Sequence, residues 1–302
     1  MLTINIPVYN IDARPLVLKL AELLQNLPTE SEIRVYDDGS ENEIKNLNRE
    51  LQTVSGVVYY EVPHNLGRSA IRNKMAEDSK FKYLIFIDAD SEIVTDEYLN
   101  NYLKNLNNHK IICGGTVYSS SPPEDSSKLL RWYYGSKREA ISAEIRNSRK
   151  GFIITSNNFC IEKELFLKTR FREDIGHYGH EDTLLGFDLY KKGAVLFHIE
   201  NPLKHTGLEN SEIFLKKTRT AIENLHFISG KLLKNESIFE KQVNFLNCYK
   251  KLTSILPEVL FREFFSVFRP KMERKLKGKN PRLDVFDLYK LCYYATIKNR
   301  RL

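Results

Sequence analysis

The chain has 302 residues, 42% of them hydrophobic and 28% charged, which is ordinary for a folded soluble protein and sufficient for one large domain with an appendage. Its four cysteines are scattered and form no Cys-x-x-Cys pair, so the sequence indicates neither a zinc knuckle nor a disulfide framework, and a reducing cytosol is expected. No apolar stretch reaches transmembrane length, and no signal peptide is expected.

Strand-like and helix-like segments alternate in the first part of the chain. The predicted strands cover residues 2–6, 32–36, 57–62, 83–87 and 110–113, and the predicted helices cover residues 14–25, 41–51, 69–79 and 96–107. This alternation predicts βαβ units and therefore an α/β fold with a mostly parallel sheet.

The pattern changes after residue 118. A polar helical stretch contains Trp132 and Tyr133, whose rings could stack on a sugar, although packing in the core is the preferred interpretation. Apolar runs at residues 151–155 and 194–199 flank a charged helix that begins near Glu181, and Ser156-Asn157-Asn158 is expected to end the first run as a strand.

Helical patterns continue from about Ser211 to the end of the chain, with breaks expected at Pro257, Pro270 and Pro281. We therefore predict an α/β domain over residues 1–210 and a helical, basic extension over residues 211–302.

The net charge of +7 is concentrated in this extension. Residues 255–302 hold twelve Lys or Arg and five Asp or Glu, so residues 1–254 sum to zero. Aromatic residues are interleaved with these cations. Two interpretations stay open: amphipathic helices that lie on an anionic membrane surface, or a subdomain that packs on the core with a solvated basic face. Nucleic acid is not expected as a partner, because no recognition motif accompanies the charge.

Two aspartates follow the most apolar predicted strand, in the order Tyr-Leu-Ile-Phe-Ile-Asp-Ala-Asp over residues 83–90. The carboxyl end of such a strand opens into the crevice where open α/β sheets bind ligands. Asp88 and Asp90 would repel each other there, and Mg²⁺ or Mn²⁺ would relieve that repulsion. The alternative is a pair of solvated turn or cap aspartates.

Polar residues also end the three preceding strands. The first strand runs into Pro-Val-Tyr-Asn (7–10), the second into Asp-Asp-Gly-Ser (37–40), and the third into His-Asn-Leu-Gly-Arg (64–68) with Arg-Asn (72–73) beyond. Each segment also has a plain explanation as a turn or a helix cap. A helix start with glycine and arginine nevertheless suits a phosphate or a base carbonyl.

Taken in order, these segments resemble the family 2 glycosyltransferases of the GT-A fold, across roughly residues 1–210. The resemblance implies a Rossmann-like sheet with a UDP-sugar bound across the strand ends. It implies that the base, ribose and diphosphate contact a set of donor-binding residues: Pro7, Tyr9, Asp38, Asn65, Gly67, Arg68, Arg72, Asp88 and Ala89. Within that set Asp38 would face uracil, and Arg72 is preferred over Arg68 for the base or the diphosphate. Asp90 would ligate the metal.

An acidic pair in Gly-His-Tyr-Gly-His-Glu-Asp (176–182) completes the resemblance. It implies that Asp182 deprotonates the acceptor hydroxyl and that Gly179 and Glu181 bind substrate. The Gly-x-Glu-Asp form is similar to galactosyl- and N-acetylgalactosaminyl-transferring members, in which a tryptophan often precedes the glycine where this chain has Tyr178. The alternative is an acidic pair that complements a helix dipole.

His205 is the third metal candidate, since metal-dependent members of the fold often supply a histidine from a late loop. Imidazole favours Mn²⁺ over Mg²⁺. A lone histidine can equally be a loop or cap residue, and His198, in an apolar run, is interpreted as structural.

The resemblance therefore implies an inverting, metal-dependent transfer from a UDP-sugar to a saccharide or lipid-linked acceptor, in polysaccharide or glycoconjugate biosynthesis. A cytoplasmic location, at the inner face of the membrane if the tail binds it, is expected. Two alternatives are a sugar-nucleotide pyrophosphorylase and a non-catalytic nucleotide-sugar-binding module. The pyrophosphorylase would need a glycine-rich loop with Arg and Lys after the first strand, which this chain lacks.

Overall fold

The computed structural model describes residues 1–149, 151–175, 178–234 and 236–298. Gly176 and His177 of the predicted acceptor motif, and the last four residues of the basic tail, lie outside the described residues. The strands are β1 Leu2–Val8, β2 Ser31–Asp37, β3 Val57–Glu61, β4 Tyr83–Ile87, β5 Ser91–Ile93, β6 Ile111–Cys113, β7 Thr116–Val117, β8 Asn158–Glu162, β9 Phe197–His198 and β10 Leu203–His205. The helices are α1 Arg14–Gln25, α2 Asn42–Asn48, α3 Arg68–Asp78, α4 Tyr98–Leu103, α5 Leu129–Tyr134, α6 Ala143–Ser148, α7 Lys163–Thr169, α8 Glu181–Lys191, α9 Ser211–Phe227, α10 Ser237–Gln242, α11 Asn244–Thr253, α12 Glu258–Leu276 and α13 Leu283–Ile297.

Seven strands form the central sheet in the order β3-β2-β1-β4-β8-β6-β9. Only β8 runs antiparallel to its neighbours β4 and β6, and the other pairs are parallel. A second sheet of three short strands has the order β5-β10-β7. The predicted α/β fold with a mostly parallel central sheet and C-terminal helices is therefore confirmed.

Alternating side chains of β4 show how the sheet is covered on both faces. Ile85 and Ile87 pack in a core with residues of α1 and α4, whereas Leu84 and Phe86 pack in a second core with residues of α7 and α8. Successive side chains of a strand point to opposite faces, so every side chain of a strand that is covered on both sides faces a core and is expected to be apolar. The continuous apolar run of β4 is the consequence.

Residues 151–155 do not form the strand that the sequence suggests. Phe152 and Ile154 are buried in alternation with exposed neighbours, but the carbonyl of Phe152 rests on α8, where a Cβ atom at Gly186 would lie only 1.8 Å from it. The extended segment therefore packs on a helix instead of pairing in the sheet. Asn158 begins the antiparallel strand β8, so the expectation that it ends a strand is wrong.

Pro270 lies inside α12 and does not end a helix, contrary to expectation. A proline removes one backbone donor and leaves the carbonyl four residues earlier without its usual partner. Both Pro270 and Ser266 are exposed, so water can bind that carbonyl. The other two expected breaks are confirmed, since Pro257 precedes α12 and Pro281 precedes α13.

The chain divides into two compact units. The first comprises residues 1–118, 139–173 and 181–207 and contains both sheets, and the second comprises residues 119–138, 174–180 and 208–302 and is helical. In the second unit α13 is the most buried helix, with Phe286, Tyr289 and Cys292 inaccessible. Among the described helices, none has both the length and the apolar character that crossing a bilayer requires.

Candidate active site

Asp88, Ala89 and Asp90 lie where the chain leaves the central sheet. The last four residues of β4 are fully buried, and β5 of the second sheet starts at Ser91. The side chains of Asp88 and Asp90 each keep 25% of their surface exposed. The junction between the two sheets thus presents two carboxylates to solvent at the carboxyl end of a buried strand.

His205 is brought to Asp90 by strand pairing. Because β10 runs antiparallel to β5 with His205 opposite Ser91, the imidazole Nδ1 lies 3.6 Å from Oδ2 of Asp90. The backbone N–H and the hydroxyl of Thr206 both donate to the carbonyl of Asp90 at 2.8 Å. Burial acts to raise the pKa of Asp90, but the hydrogen bond and charge of His205 and the charge of Arg68 outweigh it and lower the pKa.

Asp90 and His205 offer one carboxylate and one imidazole to a divalent cation. His205 Nε2 is buried and has no hydrogen-bond partner among the described residues, so this nitrogen is not committed to another protein group. Within the described ranges no group of three or more His, Cys, Asp or Glu side chains is arranged to hold a metal ion. This donor set therefore fits Mn²⁺ or Mg²⁺ only if substrate phosphate and water complete the coordination, as is usual for such ions.

Arg72 forms an ion pair with the other aspartate, Asp88. This arginine of α3 is only 3% exposed, and its guanidinium is hydrogen-bonded to Asp88 Oδ1 and donates to the carbonyl of Arg68 at 2.9 Å. The two aspartates consequently differ: Asp88 is paired with a buried cation, whereas Asp90 faces His205.

Hydrogen bonds of Asp38 connect the loop that follows β2 to the loop that follows β3. Its carboxylate is buried and accepts hydrogen bonds from the backbone N–H groups of Leu66, at 2.7 Å, and Gly67, at 3.0 Å. The side-chain amide of Asn65 donates to the Asp38 carbonyl at 2.8 Å. Burial raises the pKa of Asp38 despite these two donors. Each carboxylate oxygen keeps a second lone pair that a ligand N–H can use.

Pro7 and Tyr9 mark the end of β1. Pro7 pairs in register with Tyr36 inside the parallel sheet and is half-buried. Tyr9 follows the strand and is 54% exposed, so its ring is available for stacking.

Glu181 and Asp182 open α8. Glu181 is buried and lies 3.5 Å from the guanidinium of Arg68. Asp182 is half-buried, and its Oδ1 accepts a 2.6 Å hydrogen bond from the N–H of Thr183. Burial first, and the charge of Glu181 second, raise the pKa of Asp182 to about 7, against the lowering effect of Thr183 and Arg72. Glu181 is thus a carboxylate next to the cation of Arg68, whereas Asp182 can take up or release a proton near neutral pH.

Gly179 belongs to the helical unit. Its φ of +99° is in the region that favours glycine, and a Cβ atom there would lie 2.7 Å from the Cβ of Ala221 in α9. The side-chain amide of Asn224, also in α9, donates to its carbonyl. Glycine at this position is required for the close packing of the loop on α9.

A sequence profile described as glycosyl transferase family 2 matches residues 3–167, more than half of the chain and all of the strand-end residues described above up to Asp90. This chain belongs to glycosyl transferase family 2. It is accordingly a glycosyltransferase.

Sequence comparison and structure comparison both give proteins that are similar to this glycosyltransferase. The chondroitin synthase of Escherichia coli is 23% identical over 236 residues, which are 68% of this chain but only 34% of that protein, so the chain spans about a third of its length. The crystal structure of S. aureus TarS 1-349 gives a TM-score of 0.52 at 18% identity and covers 99% of this chain and 92% of that one. The mannosyltransferase PcManGT from Pyrobaculum calidifontis, in complex with GDP-Man and Mn2+, gives a TM-score of 0.59 at 14% identity, with 98% and 86% covered.

Two residues support the site in a way that the sequence analysis did not predict. Asn158 is buried; its amide oxygen accepts from the hydroxyls of Tyr98 and Tyr102, and its amide nitrogen donates to the carbonyls of Gly115 and Asn201. These bonds fix the loop between β6 and β7, and β7 pairs with β10, which carries His205. The double glycine at 114–115 was the available signal, because a Cβ atom at Gly114 would lie 2.5 Å from the Asn158 amide.

Arg146 is the second residue of this kind. It donates to the carbonyls of Cys113, Gly114 and Ile199 and lies 3.0 Å from Nδ1 of His198. Burial and the arginine charge lower the pKa of His198 to about 4, so the ring stays neutral. This environment supports the structural interpretation of His198.

Proposed function

We propose that this enzyme transfers a sugar from a UDP-sugar to a hydroxyl of a saccharide or lipid-linked saccharide, with inversion at the anomeric carbon, in polysaccharide or glycoconjugate biosynthesis. The observation that carries the proposal is the pairing of Asp90 with His205 at the end of β4, beside the ion-paired Asp88. The parallel strands direct every donor-binding candidate to the same edge of the sheet.

The donor site is assigned to the strand ends. Tyr9 offers an exposed ring to the base, Asp38 offers acceptor lone pairs to the uracil imide, and the Asn65–Gly67 turn shapes the loop around it. Arg68 is 48% exposed and near Glu181, so it can move to the diphosphate. Arg72 is hydrogen-bonded to Asp88, so it is proposed as a positioning residue for the ribose and sugar contacts of Asp88 and Ala89, and not for the base or diphosphate role in which the resemblance preferred it.

Asp90 and His205 would hold Mn²⁺ or Mg²⁺, which when bound neutralises the charge that develops on the departing diphosphate. The complex of PcManGT with GDP-Man and Mn2+ and the complex of TarS 1-349 with UDP support this choice of ligands. Imidazole as a ligand favours Mn²⁺.

Asp182 is the proposed general base. A sugar hydroxyl is a poor nucleophile at neutral pH, and a carboxylate whose pKa is about 7 is well matched to receive its proton. A single displacement with one base inverts the anomeric centre. Glu181 and Gly179 are proposed to contact substrate, and the Gly-x-Glu-Asp sequence supports a galactosyl or N-acetylgalactosaminyl donor.

The deciding experiment is a screen of UDP-sugars for Mn²⁺-dependent hydrolysis to UDP in the absence of acceptor, followed by transfer assays with the donor that reacts. Hydrolysis of one or two UDP-sugars that stops in chelator is expected. Metal-independent release of UDP, or no reaction with any UDP-sugar but reaction with another nucleotide sugar, would contradict the proposal.

A further inference from the structure

Exposed apolar side chains are concentrated in one short segment of the helical unit. Of the 21 large hydrophobic residues that are exposed in the described part of the chain, seven lie within residues 255–268: Ile255, Leu256, Val259, Leu260, Phe264, Val267 and Phe268. Single exposed apolar residues need no explanation, but such a concentration marks an interaction surface.

The exposed residues of α12 form a continuous face. Leu260, Phe264, Val267 and Phe268 recur at intervals of three and four, which places them on one side of the helix. The rings of Phe264 and Phe268 are stacked with centroids 4.6 Å apart, and Val267 is 67% exposed. We call these four residues the apolar face of α12.

A different face of α12 packs in the core of the unit. Phe261, Phe265 and Met272 are buried, and the Phe265 ring contacts Tyr289 and Tyr293 of α13. The helix therefore has its structural apolar stripe already covered, and the apolar face is additional to it.

Cations continue the apolar face toward the C-terminal end of α12. Lys271, Arg274 and Lys275 follow Phe264, Val267 and Phe268 at helical spacing, are all exposed, and form no ion pair with any described residue. Of the three acids of the same helix, Glu258 and Glu273 are paired with Lys298 and Arg269, and Glu263 is exposed at the edge of the apolar face. The surface is thus apolar at one end and strongly positive at the other.

We infer that the apolar face and its three cations dock the enzyme on the surface of an anionic lipid bilayer. Aromatic and aliphatic side chains enter the headgroup boundary, and lysine and arginine attract anionic headgroups within a Debye length. A second copy of the chain is the poorer occupant, because a two-fold pairing of these faces would set the three cations of each copy either against the cations or against the apolar residues of the other, and neither compensates their charge. Docking would place the proposed transferase next to lipid-linked acceptors.

The test is co-sedimentation of the full chain with vesicles of phosphatidylcholine, with and without phosphatidylglycerol. Binding to the mixed vesicles only is expected. Replacing the cations (Lys271→Gln, Arg274→Gln, Lys275→Gln) should weaken partitioning by on the order of a hundredfold, at roughly fivefold per cation. Replacing Phe264 and Phe268 by serine should weaken it by at least about tenfold, because apolar contact is lost.

Matched control variants carry equal changes elsewhere in the same unit. Lys216→Gln, Lys234→Gln and Lys241→Gln remove three exposed cations, and Ile213→Ser with Ile238→Ser removes two apolar side chains that are each 45% exposed. Both controls should bind vesicles as the parent does, and all variants should keep their circular dichroism and their hydrolysis of the donor.

Three results would overturn the inference: no binding to either vesicle, equal loss in control and test variants, or a dimer in light scattering that Phe264→Ser abolishes. Vesicle binding needs neither donor nor metal, so this inference and the proposed function can fail separately.

Discussion

The imidazole of His205 lies 3.6 Å from the carboxylate of Asp90 because two three-residue strands pair antiparallel beside the central sheet. The contact depends on a register in which His205 faces Ser91, and on the two hydrogen bonds from Thr206 to the Asp90 carbonyl. The proposed metal ligands are therefore positioned by backbone pairing.

Gly207 is the position at which this geometry is most sensitive. A Cβ atom there would lie 2.3 Å from Asp90 Oδ2, so Gly207→Ala must displace the carboxylate from His205. We predict a rise of about tenfold or more in the Mn²⁺ concentration that gives half-maximal activity, since a displacement of about 1 Å in a catalytic group costs on the order of a hundredfold.

The matched control is Gly278→Ala in the helical unit, where the nearest atom to a Cβ is at an ordinary 3.4 Å. It should leave the metal titration unchanged. If Gly207→Ala has the metal dependence of the parent, the carboxylate does not act in the position seen here.

Asp182→Asn tests the general base. The variant should bind UDP as the parent does but transfer sugar about 10²–10⁴-fold more slowly, the usual contribution of a positioned base. UDP affinity by calorimetry and turnover by UDP release give the two numbers. Asp96→Asn, a change at a surface carboxylate whose side chain is 80% exposed, serves as control. Normal turnover of Asp182→Asn would contradict the base assignment. The acidic pair would then only complement the dipole at the start of α8.

The pKa of Asp182, raised to about 7 by burial and by Glu181, predicts a pH dependence. Transfer should accelerate as the pH rises through about 7, because the base must be deprotonated, and this limb should be absent from the residual rate of Asp182→Asn. A rate that is flat across pH 7 would contradict the assignment.

The same shift affects stability. An aspartate in the unfolded chain has a pKa of about 3.9, so the folded state holds this proton more tightly. Its contribution to stability is complete below about pH 4 and is lost as the pH rises through about 7. As the pH rises from about 4 to about 7, the Tm of Asp182→Asn should therefore rise relative to the Tm of the parent, which differential scanning calorimetry would measure.

Asn158 should be the most costly polar residue to replace. Asn158→Ala leaves two tyrosine hydroxyls and two carbonyls without their partner in the core, at about 1–3 kcal/mol for each group that stays unsatisfied. We predict a loss of about 3 kcal/mol or more in the free energy of unfolding, by urea denaturation. Asn107→Ala, at an exposed position, should change it by less than about 0.5 kcal/mol. A loss in Asn158→Ala no larger than in this control would mean that the network is solvated.

Strands with one continuous apolar run could be predicted from the sequence almost to the residue. The predicted strand at residues 83–87 is identical to β4, and helix α1 matches its prediction, because burial on both faces or on one face leaves a periodic signature. The strand-end motifs and their order could also be identified from the sequence, since each motif is a short continuous segment.

Packing between segments that are distant in sequence could not be predicted. Phe152 alternates with exposed residues as a strand residue would, and only its contact with Gly186 decides that it rests on a helix. The strands β5, β7 and β10 are two or three residues long, too short for periodicity, although their pairing brings His205 to Asp90. The roles of Arg146 and Asn158 depend on partners distant in sequence, which one sequence does not reveal.

Metal-dependent binding of UDP tests the central claim most directly. Calorimetric titration of UDP should show affinity that Mn²⁺ increases in the parent and in the control Asp96→Ala, but not in Asp90→Ala or His205→Ala. Equal enhancement by Mn²⁺ in all four proteins would contradict the account, because the cation would then be held by other groups.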